Sequence, residues 1–267
     1  MKSLVRLFNL KGRTALITGG AGHIGSAIAH ALAENGAVIA ISDVDQERAE
    51  SLCKILTDKY SVEANVFLTD LEDEKSVRAL PGNVVQKSGS LDILINCAAL
   101  VGTSGLEGWA VPLEQQSATS WRRALEVNLT APFILAQESA QFLSKNGHGS
   151  IINILSIYGI SGPDERLYEG TTLGNPAAYG ASKAGLMQLT RHLATTLAPL
   201  IRCNAITPGG VEREQAASFR DRYVARTPLR RMAAEEDFMG AAAFLASDAS
   251  AYITGQNIIV DGGWTSW

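Results

Sequence analysis

Thr14-Ala15-Leu16-Ile17-Thr18-Gly19-Gly20-Ala21-Gly22-His23-Ile24-Gly25 is the stretch on which the reading of this chain turns. Thr14 to Ile17 is a short, mostly apolar run, a strand candidate. Beyond the glycines, Ile24, Ala27, Ile28, Ala31 and Leu32 recur at i, i+3, i+4, i+7 and i+8, which lays them along one face of a helix. Gly36 stands where a helix is ordinarily closed. Between strand and helix, Gly20-x-Gly22-x-x-Gly25 has the spacing of a dinucleotide-binding turn. One glycine permits the tight turn, one lets the backbone approach a pyrophosphate, and one lets helix and strand pack closely. The helix opening at His23, Ile24 and Gly25 presents free N–H groups and a partial positive charge to phosphate. Gly19, Gly22, His23, Ile24 and Gly25 are therefore candidate cofactor-binding residues.

Outward from that turn the pattern repeats. Strands are expected near Val38–Ile41, Asn65–Leu68, Asp92–Ile95, Ser150–Leu155, Arg202–Ile206 and Asn257–Val260. Helical periodicity covers about Gln46–Lys59, Glu74–Gln86, Ser120–Phe142, Ala178–Leu197 and Glu235–Ala246. Short, continuously apolar strands alternating with helices predict an α/β fold, a Rossmann-like doubly wound parallel sheet of about seven strands with helices on both faces. No linker, repeat or low-complexity segment interrupts residues 1–267, so one domain is expected.

The chain has 267 residues, 46% of them hydrophobic and 19% charged, enough to bury a large core. A net charge of −4 gives no reason to expect nucleic acid or an anionic membrane as partner. No apolar stretch is long enough to span a membrane. The apolar pieces of Met1–Arg13 are too short for a secretory signal, so a cytoplasmic protein is expected. The three cysteines, Cys53, Cys97 and Cys203, are odd in number and far apart, and the four histidines lack metal-ligand spacing, so neither a disulfide framework nor a metal site is expected.

Asp43 ends the second strand, 18 positions after Gly25. A carboxylate there can accept hydrogen bonds from adenosine ribose hydroxyls and would repel the 2′-phosphate of NADP, which favours NAD as cofactor over NADP. Asp-x-Asp at 43–45 would also cap the helix that follows. Further on, Tyr179-Gly180-Ala181-Ser182-Lys183 places a phenol and an ammonium at i and i+4 of one helix face. A nearby cation favours phenolate, so the pair is expected to lower the Tyr179 pKa and make it a general acid or base.

Several further segments carry a resemblance. Asn96-Cys97-Ala98-Ala99 follows the fourth strand, Asn128 sits in Val127-Asn128-Leu129, and Ser156 follows Ile151-Ile152-Asn153-Ile154. Pro208-Gly209-Gly210 follows the sixth strand, and Ile253-Thr254-Gly255-Gln256 precedes Val260-Asp261-Gly262-Gly263. With the glycine turn and Tyr179/Lys183, these make nearly the whole chain resemble the short-chain dehydrogenase/reductase family. The resemblance implies that Tyr179 exchanges a proton with the substrate oxygen and that Ser156 holds that oxygen. It implies that Lys183 binds the nicotinamide ribose and tunes Tyr179, and that Asn128 anchors a water relaying protons to Lys183. It further implies that Asp70 and Leu71 flank the adenine, that Asn96 and Ala98 line the adenosine side, and that Pro208, Gly209 and Val211 border the nicotinamide. Tetramers or dimers are common in the family, and Trp264 and Trp267 are expected near an interface or a neighbouring active site.

Three features depart from the family's usual pattern. His23 replaces a glycine, and the resulting spacing resembles nucleotide-sugar epimerases and dehydratases, an alternative reading. Arg213 stands where a threonine often touches the nicotinamide amide. Ser156 and Tyr179 are 23 positions apart, more than usual, which makes a loop of about 160–177. Together with loops at about 101–111 and 209–231 it is expected to shape the pocket of a polar small-molecule substrate. The segment Arg213–Arg231 holds six arginines, suggesting a carboxylate or phosphate on that substrate. Ser156-Ile157-Tyr158-Gly159 followed by Tyr168-Glu169-Gly170-Thr171 also looks like a subgroup linked to bacterial surface-sugar and flagellin modification. The leading reading is an oxidoreductase moving a hydride between nicotinamide and a secondary alcohol or ketone, against a non-catalytic dinucleotide sensor on the same fold.

Overall fold

A computed structural model describes all residues, Met1–Trp267. Seven strands form one parallel sheet: β1 (Thr14–Thr18), β2 (Val38–Asp43), β3 (Ala64–Leu68), β4 (Ile93–Asn96), β5 (Gly149–Ile154), β6 (Ile201–Pro208) and β7 (Asn257–Val260). Their order is β3-β2-β1-β4-β5-β6-β7. The direction of winding reverses between β1 and β4, and a crevice at the carboxyl ends of the strands opens there. The register puts Thr18 beside Asn96, and Asn96 beside Asn153, along one line at that end.

The helices are α1 (Leu4–Phe8), α2 (His23–Glu34), α3 (Gln46–Tyr60), α4 (Glu74–Ser88), α5 (Ala118–Leu125), α6 (Ala131–Leu143), α7 (Ala177–Thr196), α8 (Ala217–Arg226) and α9 (Met239–Ala246). Alternate strand residues serve opposite layers. Ile17, Ile39 and Ile41 meet Ile28, Leu32 and Phe238 in one core. Leu16, Ala40 and Leu94 meet Val77, Leu135 and Leu193 in the other. Because both faces of the sheet are covered, the central strands are largely apolar, and the polar side chains they carry, such as Ser150 and Asn204, are hydrogen-bonded to main-chain carbonyls. The expected strands and principal helices are all present. Two helices, α1 and α8, lie in segments where the apolar periodicity is too weak to announce them.

One expected element is altered. The helix anticipated from Ser120 to Phe142 is broken into α5 and α6 by a π-turn over Glu126–Thr130. Pro132 explains part of this. It lies four residues after Asn128 and has no N–H, so the Asn128 carbonyl loses its ordinary helical donor. The inserted residue turns Asn128 inward, where it is fully buried.

Candidate active site

The glycine turn is shaped by contact. Gly19 has φ +61°, and a Cβ there would lie 2.7 Å from the Ala98 Cα. A Cβ on Gly25 would lie 2.2 Å from the Gly19 carbonyl oxygen, so only glycine permits this approach of helix to strand. At Gly22, by contrast, a Cβ would meet only the Gly19 oxygen, at 3.1 Å, leaving its other side open to the crevice. Gly22 caps α2 with no side-chain hydrogen bond, so the first-turn N–H groups at His23, Ile24 and Gly25 are offered outward. An anionic diphosphate fits this cradle. Ile24 is half-buried against the core, while His23 is exposed.

Thr18, the residue before the glycines, has a role that its sequence context leaves unmarked. Its hydroxyl accepts from the Cys97 and Ala98 N–H groups at 3.2 and 3.3 Å, pinning the segment after β4 against the glycine turn. Asp43 is engaged within its own chain. Its carboxylate accepts from Ala21 N–H at 3.0 Å, from Val44 N–H at 2.8 Å and from Asp45 N–H at 3.2 Å. The carboxylate thus braces the glycine turn from the end of β2, while Asp45 caps α3.

The side chains of two adenosine-side candidates, Asn96 and Leu71, face inward. The Asn96 side chain is 2% exposed and donates to Asn153 Oδ1 at 2.8 Å, so only its main chain reaches the crevice. Asn153 in turn donates to Thr190 at 2.8 Å, an amide chain running beneath the site. The signal for it is the lone asparagine in the apolar strand β5. Leu71 is buried in the core beneath α4 and α6, because its apolar side chain gains more there than beside a polar base. Asp70 is exposed after β3, and Ala98 is half-exposed beside Gly19. On the other side, Gly209 N–H donates to Val260 O at 2.9 Å, and a Cβ there would meet the Asp261 Cα at 2.8 Å. Pro208 ends β6, and Val211 pairs with Ala233 in an isolated parallel bridge.

Ser156, Tyr179 and Lys183 converge where β5 meets the first turns of α7. Ser156 stands two residues past β5, capping the turn that follows, and accepts from Tyr158 N–H at 3.2 Å. The Lys183 ammonium, on a residue 2% exposed, donates to the Ile154 carbonyl at 2.7 Å and lies 5.9 Å from the Tyr179 ring centre. Burial pulls its pKa down to about 8. Burial also raises the Tyr179 phenol, with the neighbouring Ser156 hydroxyl opposing. This corrects the expectation of a lowered phenol. The ammonium is turned to a carbonyl, and loss of water outweighs the Ser156 hydrogen bond. Cys97 lies close by, its thiol pushed up to about 12 by burial, and so carries no thiolate at neutral pH.

The Asn128 amide is engaged with its own chain. Oδ1 accepts from Leu100 N–H at 2.8 Å, and Nδ2 donates to Leu100 O at 3.2 Å and to Ser182 Oγ at 3.1 Å. It ties the segment after β4 to α7.

Three sets of contacts define the loops and the C-terminal tryptophans. First, the segments near 101–117 and 160–177 do share a cavity of about 640 Å³, stitched by Gln116, which donates to Asn175 O at 3.0 Å and accepts from Ala177 N–H at 3.0 Å. That cavity is lined by Gly180 and Ala181 but not by Tyr179 or Ser156. Second, all six arginines of 213–231 are committed to protein acceptors. Arg213 pairs with Glu235, Arg220 with Glu212 and Asp221, Arg226 with Asp164, and Arg231 with Asp237. Arg222 donates to the Leu167 and Glu169 carbonyls, and Arg230 to the Ala225 carbonyl. Third, Trp264 is buried in its own chain, stacked on Tyr223 with ring centres 5.8 Å apart and covered by Arg226 at 4.4 Å. Trp267 donates to Arg226 O at 3.2 Å. The insert after Ser156 is thus fastened to α8, because Asp164 meets Arg166 and Arg226 while Tyr168 packs on Phe219.

Comparison with known proteins agrees with this geometry. Residues 19–265 match the family described as enoyl-(acyl carrier protein) reductase. The cis-4-hydroxycyclohexanecarboxylate dehydrogenase of Sinomonas cyclohexanicum is 36% identical over 259 residues, covering 95% of this chain and 97% of that one. A 3-oxoacyl-(acyl-carrier-protein) reductase of Rickettsia conorii is 36% identical over 264 residues, covering 96% and 98%. The crystal structure of a gluconate 5-dehydrogenase from Burkholderia cenocepacia, in complex with NADP and tartrate, superposes with a TM-score of 0.87 at 33% identity, covering 99% of this chain and 100% of that one. No helix of the chain is long and apolar enough to cross a membrane. A seven-stranded doubly wound sheet with a glycine cradle, matched along almost its full length by such relatives, makes this chain a member of the short-chain dehydrogenase/reductase family of oxidoreductases.

Proposed function

We propose that this chain interconverts a secondary alcohol and its ketone with NAD(H), on a sugar or sugar-acid type of substrate, with Tyr179 as general acid and base. The observation that carries the reading is the convergence of Tyr179, Ser156 and the buried Lys183 beside the glycine cradle. A bound nicotinamide dinucleotide supplies or accepts the hydride. The chain's own part is orientation and one proton. Burial keeps the Tyr179 phenol protonated, ready to give the proton on Oη to an oxygen gaining charge and to take it back in reverse. The Ser156 hydroxyl holds that oxygen. Lys183 and a water anchored by Asn128 link Tyr179 to solvent.

Asp43 supports NAD, since a 2′-phosphate at the end of β2 would face its carboxylate. The NADP-bound relative supports the opposite preference, and the assay below decides between them. Substrate class rests on the relatives. Two are dehydrogenases of hydroxy acids, and one holds tartrate. Because these relatives act on hydroxy acids, we place sugars and sugar acids ahead of sugar phosphates. For assembly we propose a dimer or tetramer through the exposed Trp121 and Phe133 of α5 and α6 and the open edge of β7.

The test follows reduced dinucleotide formation over a panel of polyols, sugars, sugar acids and sugar phosphates, with NAD and NADP in parallel and Tyr179→Phe as control. Turnover with NAD on a sugar-type alcohol, abolished in the control, is expected. Turnover retained in Tyr179→Phe would remove Tyr179 from the mechanism. Turnover with NADP alone would overturn the cofactor preference and leave Tyr179 standing.

A further inference from the structure

The two residues that depart most from the family pattern near the cofactor, His23 and Arg213, meet at a single carboxylate oxygen. Arg213 Nη1 lies 2.6 Å from Glu235 Oε1, and His23 Nδ1 lies 3.5 Å from the same atom. They are far apart in sequence and come from different elements. His23 opens α2 at the mouth of the glycine cradle, Arg213 begins the long loop after β6, and Glu235 starts the turn leading into α9.

The loop base is laced to the Glu235 segment by backbone bonds. Ala233 N–H donates to Gly210 O and Glu212 N–H to Ala233 O, both at 2.9 Å, around the Val211–Ala233 bridge. Gln215 holds the next turn, accepting from Arg213 N–H and donating to Val211 O, at 2.7 and 2.8 Å. The guanidinium therefore has a fixed origin, at the edge of the cradle, with its side chain 29% exposed. It can reach both Glu235 and an anion at the open end of α2. The first turn of α2, with no capping side chain, leaves its N–H groups to such an anion. Left alone, the Glu235 carboxylate would stand beside the same anion and repel it.

We propose that Arg213 is a diphosphate-binding residue. It screens Glu235 throughout and, from that carboxylate, extends its fork to the diphosphate of the dinucleotide when that ligand binds, so that occupancy of the cradle is felt at the base of the substrate loop. The proposal rests on the dinucleotide reading above. It assigns Arg213 to the cofactor, and not to the substrate carboxylate or nicotinamide amide suggested by the residue's place in the sequence.

The test is a two-residue cycle read by equilibrium binding to the intact protein. NADH, ADP-ribose and 5′-AMP are the probes, with Arg213→Met, Glu235→Gln and the double variant. Losing a charge-assisted contact to phosphate is expected to weaken NADH and ADP-ribose about tenfold or more in Arg213→Met, and 5′-AMP far less. Glu235→Gln is expected to bind NADH as well as or better than the unaltered chain, and the double variant to recover part of the loss. Thermal unfolding of each variant without ligand shows whether it is folded. The Glu235→Gln result keeps the test decisive if Arg213→Met unfolds, since weaker binding there would overturn the proposal. Unchanged NADH and ADP-ribose affinity in a folded Arg213→Met would overturn this inference alone. Failure of the unaltered chain to bind any of the dinucleotides would overturn the underlying reading as well.

Discussion

The Lys183 ammonium donates to the Ile154 carbonyl at 2.7 Å, while the centre of the Tyr179 ring lies 5.9 Å away. A cation one helical turn from a phenol is therefore spent first on the strand, and burial decides how both groups titrate. With the phenol raised, the form that donates a proton prevails at neutral pH, and the form that accepts one appears only at alkaline pH. Alcohol oxidation is thus expected to rise steadily with pH above neutrality, and ketone reduction to hold level there and fall later. Initial rates of both directions from pH 6 to 10, expressed as kcat/KM, check this. An oxidation rate already level at pH 7 would show a phenol lowered, not raised.

Lys183 should also cost the fold stability. Its pKa stands at about 8 against an ordinary 10.5, because burial strips water from the charge. The penalty is fully present below about pH 8 and fades as pH rises toward 10.5, where the unfolded chain still binds a proton that the folded chain has released. Lys183→Met is expected to be inactive yet to melt at the same temperature or higher at pH 7, at about 2–4 °C per kcal/mol recovered. The gain should narrow by pH 9.5. Melting curves at the two pH values measure it, and a clear drop at pH 7 would contradict it.

The glycine turn separates packing from ligand access. In Gly25→Ala the new carbon would press on backbone alone, 2.2 Å from Gly19 O and 2.9 Å from the Gly20 Cα, so a loss of about 3 kcal/mol or more is expected. Gly22→Ala meets one atom at 3.1 Å and should fold with a loss of about 1 kcal/mol, while its methyl obstructs the crevice. Urea unfolding together with NADH titration distinguishes the two. Equal stabilities would show that the turn gives way more readily than the contacts imply.

Asp164 governs the insert between Ser156 and Tyr179. Hydrogen bonding to Arg166, aided by the Arg226 charge, holds its carboxyl down to about 2. The pairing is present above the ordinary carboxyl range near 3.8 and is lost as pH falls through about 2. Asp164→Asn is expected to loosen the seam between insert and α8 at neutral pH, seen as faster proteolysis within 160–177 and a raised substrate KM at nearly unchanged Tm. Cleavage at the rate of the unaltered chain would assign the seam to the Tyr168–Phe219 packing.

Much of this was legible before any coordinates. The strand-turn-helix around Gly19–Gly25, the alternation that predicts a parallel sheet, and the Tyr179/Lys183 pair all rest on local periodicity and spacing, which a single sequence carries in full. Thr18 and Asn153 stand inside quoted motifs, yet their partners, Ala98 and Thr190, are 80 and 37 positions away. No local pattern names such partners.

What the sequence by itself determined is which residue types sit at which register along each strand and helix, and hence the fold and the candidate chemistry. Only the tertiary structure decided which competing partner each polar group takes. It turned Asn96 and Leu71 inward, tied the Asn128 amide to Leu100 and Ser182, and paired the six arginines with nearby acids and carbonyls. It also brought His23 and Arg213 to one oxygen of Glu235. The physical reason is that hydrogen bonds and desolvation depend on distances of a few ångströms across chain separations of tens to hundreds of residues. Periodicity reports which face a residue occupies, and packing alone settles what it meets there.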